Sequence, residues 1–259
     1  MSVRFERDGA VAVITLDRPD KGNAIDLAVA QALLDAAIAC EADSAIRCVL
    51  LTGAGRMFCA GGDIAGFAGA GDGAQVYLAE LAGTLHAALL RFAAMPKPMV
   101  VAVNGPAAGA GMSLAMAGDI VIAAASAHFT AAYTAIGLTP DGGTTWLLPR
   151  LVGLRRAQEL VLTNRRVGAE EAKAIGLVTE VVADDALAEA ARGRADGLAR
   201  GATRALGGAR VLLQQSFSSE LATQLERETR SIASAGGGSE AREGIAAFMA
   251  KRPPDYQGS

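Results

Sequence analysis

The first forty residues alternate apolar and polar positions and then change to helical spacing. The segments 3–5 and Val11–Leu16 flank the pair Asp8-Gly9, and Asp-Gly between two alternating runs predicts a β-hairpin. Apolar residues then recur at helical spacing over 27–38, directly after Asp26. An aspartate in that place is a typical helix N-cap, so the pattern predicts a hairpin followed by a capped helix.

Three short, almost wholly apolar runs predict buried strands. They are 47–52, Met99–Val103 and Ile120–Ala124. Helical spacing at 75–94 and 109–117 separates these runs, and a glycine-rich loop is expected at 53–66. This alternation of strand and helix is typical of a layered α/β architecture, with loops at the strand ends.

From Thr144 onward the pattern is helical throughout. The predicted helices are 144–151, 155–162, Ala169–Ala174, 184–200, 203–217, 219–234 and 239–250, with a flexible break at 235–238. A boundary is expected near residue 200. Residues 1–200 form the predicted mixed core, and residues 201–259 form a helical tail.

Composition and charge exclude several classes of protein. With 259 residues and 51% hydrophobic side chains the chain can bury a large core. A net charge of −3 without a basic run gives no electrostatic footprint for nucleic acid. Charges interrupt the N-terminal apolar stretch, and no apolar run reaches membrane-spanning length, so neither a signal peptide nor a membrane partner is expected.

Cysteine and histidine counts bear on metals and on the compartment. The three cysteines have no metal-ligand spacing, and only two histidines are present. Neither a metal site nor a disulfide framework is therefore expected. Reduced thiols favour a cytoplasmic protein.

Two glycine-rich segments follow predicted strands and are the first candidates for chemistry. They read F-C-A-G-G-D-I at 58–64 and V-N-G-P-A-A-G-A-G-M-S-L-A at 103–115. Each lets backbone N–H groups approach a ligand. Two such loops on neighbouring strands would direct two donors at one oxygen, an oxyanion hole suited to a thioester enolate. Either loop alone also fits a tight turn that only permits close packing.

A third segment, I-G-L-T-P-D-G-G at 136–143, contains a candidate acid. Asp141 stands between a proline and two glycines, and Trp146, Leu147 and Leu148 follow. Such a carboxylate either caps the helix at Thr144 or is a catalytic group beside an apolar wall. The residues alone favour neither interpretation.

Together these motifs, with A-G-D-I-V-I-A-A and the late E-E-A-K-A-I-G-L-V, resemble the crotonase (enoyl-CoA hydratase/isomerase) superfamily over nearly the whole chain. The resemblance implies a spiral core of ββα units, a C-terminal helical trimerisation region, and a homotrimer or dimer of trimers. It also implies an acyl-CoA thioester substrate whose carbonyl oxygen is held by the N–H groups of Gly62 and Ala110. No cofactor is implied beyond the coenzyme A that enters with the substrate.

Two departures from the family pattern point away from hydration. Hydratases of the family carry glutamates where this chain has Ser113 and Tyr133. Adding water to a double bond requires one group to activate the water and a proton delivered to the neighbouring carbon. Serine and tyrosine titrate too far from neutral pH to replace two carboxylates. Efficient hydration is therefore not expected.

Asp141 instead resembles the acid of 1,2-epoxyphenylacetyl-CoA isomerase and related enoyl-CoA isomerases. One carboxylate there moves a proton from C2 to C4 while the oxyanion hole holds the dienolate. The resemblance implies that Asp141 is a sole base. Three alternatives stay open: a weak hydratase, a non-catalytic acyl-CoA-binding protein, and a hydrolase resembling 4-chlorobenzoyl-CoA dehalogenase. In the dehalogenase-like alternative, His86 would activate water beside a nucleophilic Asp141. Tyr133 is expected, independently of that alternative, as a pocket wall or a hydrogen-bond donor to the acyl group.

Candidate coenzyme A contacts come from three places in the family pattern. They are Arg18, Lys21 and Asn23 in L-D-R-P-D-K-G-N-A; Ala60, Asp63 and Ile64 after the first glycine-rich segment; and Lys251 near the C-terminus. Basic groups suit the phosphates of coenzyme A. Solvated surface charge is an equally good interpretation of the charged members.

Overall fold

The computed structural model describes residues 2–257, in which nine β-strands and eleven α-helices are found. The strands are β1 (Val3–Asp8), β2 (Val11–Leu16), β3 (Cys48–Gly53), β4 (Met99–Val103), β5 (Ala107–Ala108), β6 (Ile120–Ala124), β7 (His128–Thr130), β8 (Val167–Gly168) and β9 (Glu180–Val182). The helices are α1 (Leu27–Ala42), α2 (Ile64–Gly69), α3 (Ala74–Ala94), α4 (Ala110–Met116), α5 (Thr144–Val152), α6 (Leu154–Thr163), α7 (Ala169–Ala174), α8 (Leu187–Arg200), α9 (Thr203–Ser216), α10 (Leu221–Gly236) and α11 (Ser239–Met249).

The larger sheet has six strands in the order β1-β2-β3-β4-β6-β9. The predicted hairpin is confirmed, because β1 and β2 pair antiparallel with Asp8 opposite Val11. All other neighbours in this sheet are parallel. Since β3 and β4 lie side by side and run the same way, the two glycine-rich segments that follow them leave the same edge of the sheet.

Helices cover the sheet and build the walls around that edge. The Asp26 side chain caps α1 by accepting from the Val29 N–H at 2.9 Å, as expected. Helix α1 packs along α3, and α8 packs on β2, β3, β4 and β6. A second sheet, in the order β5-β7-β8, holds the chain on either side of α4. In residues 2–257 no helix is both long and apolar enough to cross a bilayer.

Buried charged groups fasten α9 to the core and α11 to α9. Arg210 of α9 reaches Asp119 at 2.6 Å and donates to the carbonyls of Ala93 and Met95. Glu240 of α11 accepts from the N–H groups at the start of α9. The last helix that packs on the sheet, α8, ends at Arg200, while the division into two regions at residue 200 stays a prediction.

Three sequence predictions about elements were wrong. The predicted loop 53–66 contains the start of α2, which the Asp63 side chain caps. The helical stretch after Thr144 contains β8 and β9. These strands have two and three residues, so they exist only through their partners β7 and β6, which local pattern does not reveal. The break at 235–238 is shorter than predicted, because α10 runs to Gly236 and α11 begins at Ser239.

Candidate active site

The two glycine-rich segments lie against each other in parallel. Cys59 forms a bridge with Ala107, in which the Ala108 N–H donates to the Cys59 carbonyl at 2.9 Å. Glycine is required at Gly111, because a Cβ there would lie 2.2 Å from the Cys59 carbonyl oxygen. A Cβ on Gly61 would lie 3.6 Å from the Ala110 nitrogen, so Gly62, the next residue, lies close to Ala110.

The N–H groups of Gly62 and Ala110 have no acceptor among residues 2–257. Both sequence neighbours of Gly62 form backbone hydrogen bonds with Ile25. The Ile25 N–H donates to the Gly61 carbonyl, and the Asp63 N–H donates to the Ile25 carbonyl. The Gly62 N–H therefore points away from Ile25. Ala110 is the first residue of α4, where an N–H has no acceptor within the helix. Two free donors side by side are what a developing oxyanion requires.

Both donors line a cavity of about 250 Å³. One face of α3 forms its apolar wall through Leu78, Leu81, Ala82 and Leu85, a spacing that puts all four on one side of a helix. Phe67, Ile136 and Leu138 complete the wall. Of the residues predicted for the site, the cavity lining contains Gly62, Ala110, Asp141, Ala60, Ile64 and Tyr133.

Asp141 faces this cavity and does not cap α5. Helix α5 has no side-chain cap, and Gly143 precedes it in the left-handed region at φ 80°. The carboxylate instead accepts from the Tyr133 hydroxyl at 2.7 Å through Oδ1. The helix-capping interpretation is therefore wrong. The predicted wall is also wrong, because Trp146 packs against Arg150 and Phe217; the apolar wall comes from α3.

A buried cluster of hydroxyl groups occupies the place of the missing glutamates. The Ser113 hydroxyl lies 2.6 Å from Thr144 Oγ1 and 3.0 Å from the Tyr133 hydroxyl. Ser113 is wholly buried, and a Cβ on Gly142 would lie 2.7 Å from its Cβ. Burial, together with the negative charge of Asp141, raises the pKa of Tyr133 well above its ordinary value. Tyr133 therefore stays a protonated donor.

His86 supports the turn that carries Asp141. Its Nε2 accepts from the Gly142 N–H at 3.0 Å and lies 3.8 Å from Asp141 Oδ2. Because the Nε2 lone pair is engaged by an N–H, the ring proton resides on Nδ1. The 3.8 Å approach is therefore not an ion pair. His86 does not line the cavity, whereas a histidine that activates water for the reaction would have to line it.

Three of the predicted coenzyme A contacts, Arg18, Asn23 and Asp63, are engaged within the protein. The Arg18 guanidinium bonds Asp26 at 2.8 Å and Asp63 at 3.2 Å. Asn23 is buried, and its amide donates to the carbonyls of Ala54, Met57 and Phe58. The Asn23 side chain therefore braces the loop that leads into the first glycine-rich segment, and its contact with coenzyme A stays a prediction.

Asp63 is held in the same network. Although partial burial opposes its ionisation, the Gly66 N–H and the Arg18 guanidinium hold the pKa of Asp63 below its ordinary value. Lys21 and Lys251 are exposed, and neither lines the cavity. Their contact with coenzyme A stays a prediction.

The sequence prediction missed Phe67, Thr144 and the α3 wall. The Phe67 ring lies over Gly62, where an added Cβ would meet it at 2.4 Å. Helical spacing marks the apolar face of α3, but it does not show that this face lines a cavity. Nothing in the sequence signals the role of Thr144. Among residues 2–257 no group of three His, Cys, Asp or Glu side chains is arranged to hold a metal ion.

Comparisons with known proteins agree with this geometry. Residues 6–259 match the family described as enoyl-CoA hydratase/isomerase. A probable enoyl-CoA hydratase of Rhodobacter capsulatus is 41% identical, over 99% of this chain and 98% of its own. The 1,2-epoxyphenylacetyl-CoA isomerase of Escherichia coli is also 41% identical, over 96% of this chain and 95% of its own. The crystal structure of a putative enoyl-CoA hydratase from Streptomyces coelicolor A3(2) superposes with a TM-score of 0.95 at 35% identity, covering 100% of this chain and 95% of that one.

Proposed function

The chain belongs to the enoyl-CoA hydratase/isomerase family and has its crotonase fold, and from that premise we propose that it moves a double bond in an unsaturated acyl-CoA with Asp141 as its only base. The family relationship makes it an acyl-CoA enzyme. Hydratase and isomerase names both occur among its relatives at 41% identity, so the reaction type rests on the site itself.

One observation carries the proposal. The cavity brings one carboxylate, Asp141, together with two free N–H donors, while a second carboxylate is replaced by hydroxyl groups. Shifting a double bond from C3 to C2 breaks a C2–H bond and forms a C4–H bond. One base serves both steps if it faces both carbons. Hydration would need a second group to activate water.

Each part of the site has a role in that reaction. The N–H groups of Gly62 and Ala110 receive the thioester oxygen, on which negative charge develops when C2 loses its proton. Asp141 takes up that proton and returns it at C4. The apolar face of α3 packs along the acyl chain and keeps water away from the dienolate. Coenzyme A enters with the substrate, and no further cofactor is needed.

The assay that tests this function compares two substrates of equal chain length. We expect a 3-enoyl-CoA to give the 2-enoyl isomer, and the 2-enoyl-CoA to take up no oxygen from ¹⁸O-labelled water. The control is an Asp141→Asn variant, which keeps the shape of the side chain and loses the base. Hydration of the 2-enoyl-CoA at enzymatic rates would contradict the proposal. Binding without any conversion would favour a non-catalytic acyl-CoA-binding protein.

We also propose a homotrimer or dimer of trimers in the cytoplasm. Large apolar side chains of the segment from α9 to α11 are exposed in the single chain, among them Leu213, Phe217, Leu221, Leu225, Ile232, Ile245, Phe248 and Met249. Exposed apolar surface of this extent marks a contact with another protein. The thiols of Cys40, Cys48 and Cys59 are buried and unpaired, as expected in a reducing compartment. Sedimentation as a monomer at micromolar concentration would contradict the assembly.

A further inference from the structure

One orientation of the hydroxyl groups beside Asp141 turns each of their short contacts into a hydrogen bond. Each hydroxyl has a single proton. Tyr133 lies 2.7 Å from Asp141 Oδ1 and must donate, because an ionised carboxylate only accepts. In that orientation Ser113, at 3.0 Å, donates to the Tyr133 oxygen, and Thr144, at 2.6 Å, donates to Ser113.

This order makes every short contact of the cluster a hydrogen bond. The carbonyls that compete for the Ser113 proton are farther away, with Asp141 O at 3.2 Å and Gly109 O at 3.3 Å. The result is a one-way relay, which we define as Thr144 to Ser113 to Tyr133 to Asp141 Oδ1. Hydrogen bonds in such a chain polarise and strengthen one another.

The second carboxylate oxygen is left free. No donor of residues 2–257 lies within hydrogen-bonding distance of Asp141 Oδ2. His86 Nε2 lies 3.8 Å from Oδ2 and already accepts from the Gly142 N–H. The two oxygens of Asp141 therefore differ: Oδ1 is held and Oδ2 is available.

Resting on the proposed function, we propose that Tyr133 is a positioning residue that holds Oδ1, so that the same oxygen, Oδ2, removes the proton from C2 and returns it to C4. In the first step the C2–H bond breaks, the proton binds Oδ2, and the electron pair moves onto the thioester oxygen. In the second step the Oδ2–H bond breaks and the π electrons between C3 and C4 form the C4–H bond. The electron pair on the thioester oxygen re-forms the C=O bond, so that the double bond lies between C2 and C3.

The relay persists through both steps without rearrangement. When Oδ2 is protonated, Oδ1 becomes the carbonyl oxygen of a carboxylic acid and still accepts from Tyr133. Rotation of the carboxyl group would break that bond. Ser113 and Thr144 are almost completely buried, so no solvent reaches the carboxyl group through the relay. Part of the transferred hydrogen is therefore expected to survive the transfer.

A labelled substrate tests this proposal. A 3-enoyl-CoA deuterated at C2 is isomerised in ordinary water, and the deuterium at C4 of the product is measured by mass spectrometry. Wild-type protein is expected to retain part of the label. Tyr133→Phe lowers that fraction and lowers kcat roughly tenfold or more, with KM little changed, because a hydrogen bond to a charged group is lost.

Two threonine variants provide the matched comparison. Thr144→Val breaks the far end of the relay without touching the cavity, and it should lower the retained fraction by less than Tyr133→Phe. Thr145→Val makes the same change on the neighbouring exposed residue and should leave both readouts at wild-type values. Thermal unfolding confirms that each variant is folded.

The outcomes separate the two proposals. A wild-type protein that does not isomerise the substrate overturns the proposed function and the relay with it. Isomerisation that leaves no deuterium at C4, or a Tyr133→Phe variant that equals wild type in retention and kcat, overturns the relay alone. Equal effects of Thr144→Val and Thr145→Val also overturn the relay.

Discussion

Asp119 and Asp141 are two half-buried carboxylates that use their oxygens differently. Their side chains are exposed to similar extents, 26% and 33%. Both oxygens of Asp119 are occupied, Oδ1 by Arg210 and Oδ2 by Arg210 and the Met99 N–H. Asp141 has a partner on Oδ1 only. A carboxylate with both oxygens paired holds the fold together, whereas one that lines a cavity and has an oxygen without a partner is available for proton transfer.

The largest expected effect is on catalysis at Asp141. Asp141→Asn removes the base and should lower kcat by about 10²–10⁴-fold, the range for general acid–base catalysis. Acyl-CoA binding should persist, since the N–H donors and the apolar wall remain. Rate assays and calorimetric titration with an unreactive acyl-CoA measure the two quantities. Near-normal turnover of the Asp141→Asn variant would contradict the assignment of Asp141 as catalytic and of Asp119 as structural.

The next largest effect on kcat is expected from removal of the backbone N–H of Ala110. Ala110→Pro removes one N–H, and proline is well tolerated at the first position of a helix. Loss of one oxyanion donor should lower kcat by about 10²–10³-fold. Ala110→Ser keeps the N–H and serves as the control. Equal activity of the two variants would mean that the Ala110 N–H does not contact the thioester.

At Asp119 the expected effect is on stability. Asp119→Asn leaves the Arg210 charge, which is almost fully buried, without its carboxylate. The free energy of unfolding should fall by roughly 3 kcal/mol, measured by chemical denaturation. The activity of each folded molecule should stay at the wild-type value. A loss of activity without a loss of stability would reverse the roles assigned to the two residues.

The smallest effect is a shift in the titration of Tyr133. Burial and the Asp141 charge raise its pKa, so the neutral phenol is favoured in the folded state. The stability that depends on it is present below the ordinary tyrosine range and is lost as pH rises above that range. Asp141→Asn should lower the pKa of Tyr133. Alkaline difference absorbance, with Tyr133→Phe to assign the signal, measures the shift, and an unchanged titration would contradict the Tyr133–Asp141 contact.

The sequence predicted the main strands and helices, and it singled out Gly62, Ala110 and Asp141, which line the cavity and whose roles stay predictions. Strands such as Met99–Val103 were recognisable because residues buried on both faces form continuous apolar runs. The two glycine-rich segments were recognisable because close backbone contact excludes side chains, as at Gly111. Asp141 was recognised through its motif, although its partner Tyr133 was expected only as a pocket wall or acyl donor.

The direction of side chains could not be predicted. Trp146 follows Asp141 closely in sequence but packs against Phe217, directly after α9. The actual wall comes from α3, more than fifty residues earlier. Asn23 has the polarity of a ligand contact, yet it is buried and its amide group donates to three backbone carbonyls. Such outcomes depend on contacts between distant segments, which local sequence does not encode.

A structure with a bound, unreactive acyl-CoA tests the central claim most directly. We predict that the thioester oxygen lies about 2.7–3.1 Å from the N–H nitrogens of both Gly62 and Ala110, the range for an oxyanion hole. Oδ2 of Asp141, and not Oδ1, should face C2 and C4 of the acyl chain, with Oδ1 still bonded to Tyr133. A thioester oxygen bound elsewhere, or an Asp141 carboxylate turned away from C2, would contradict the account.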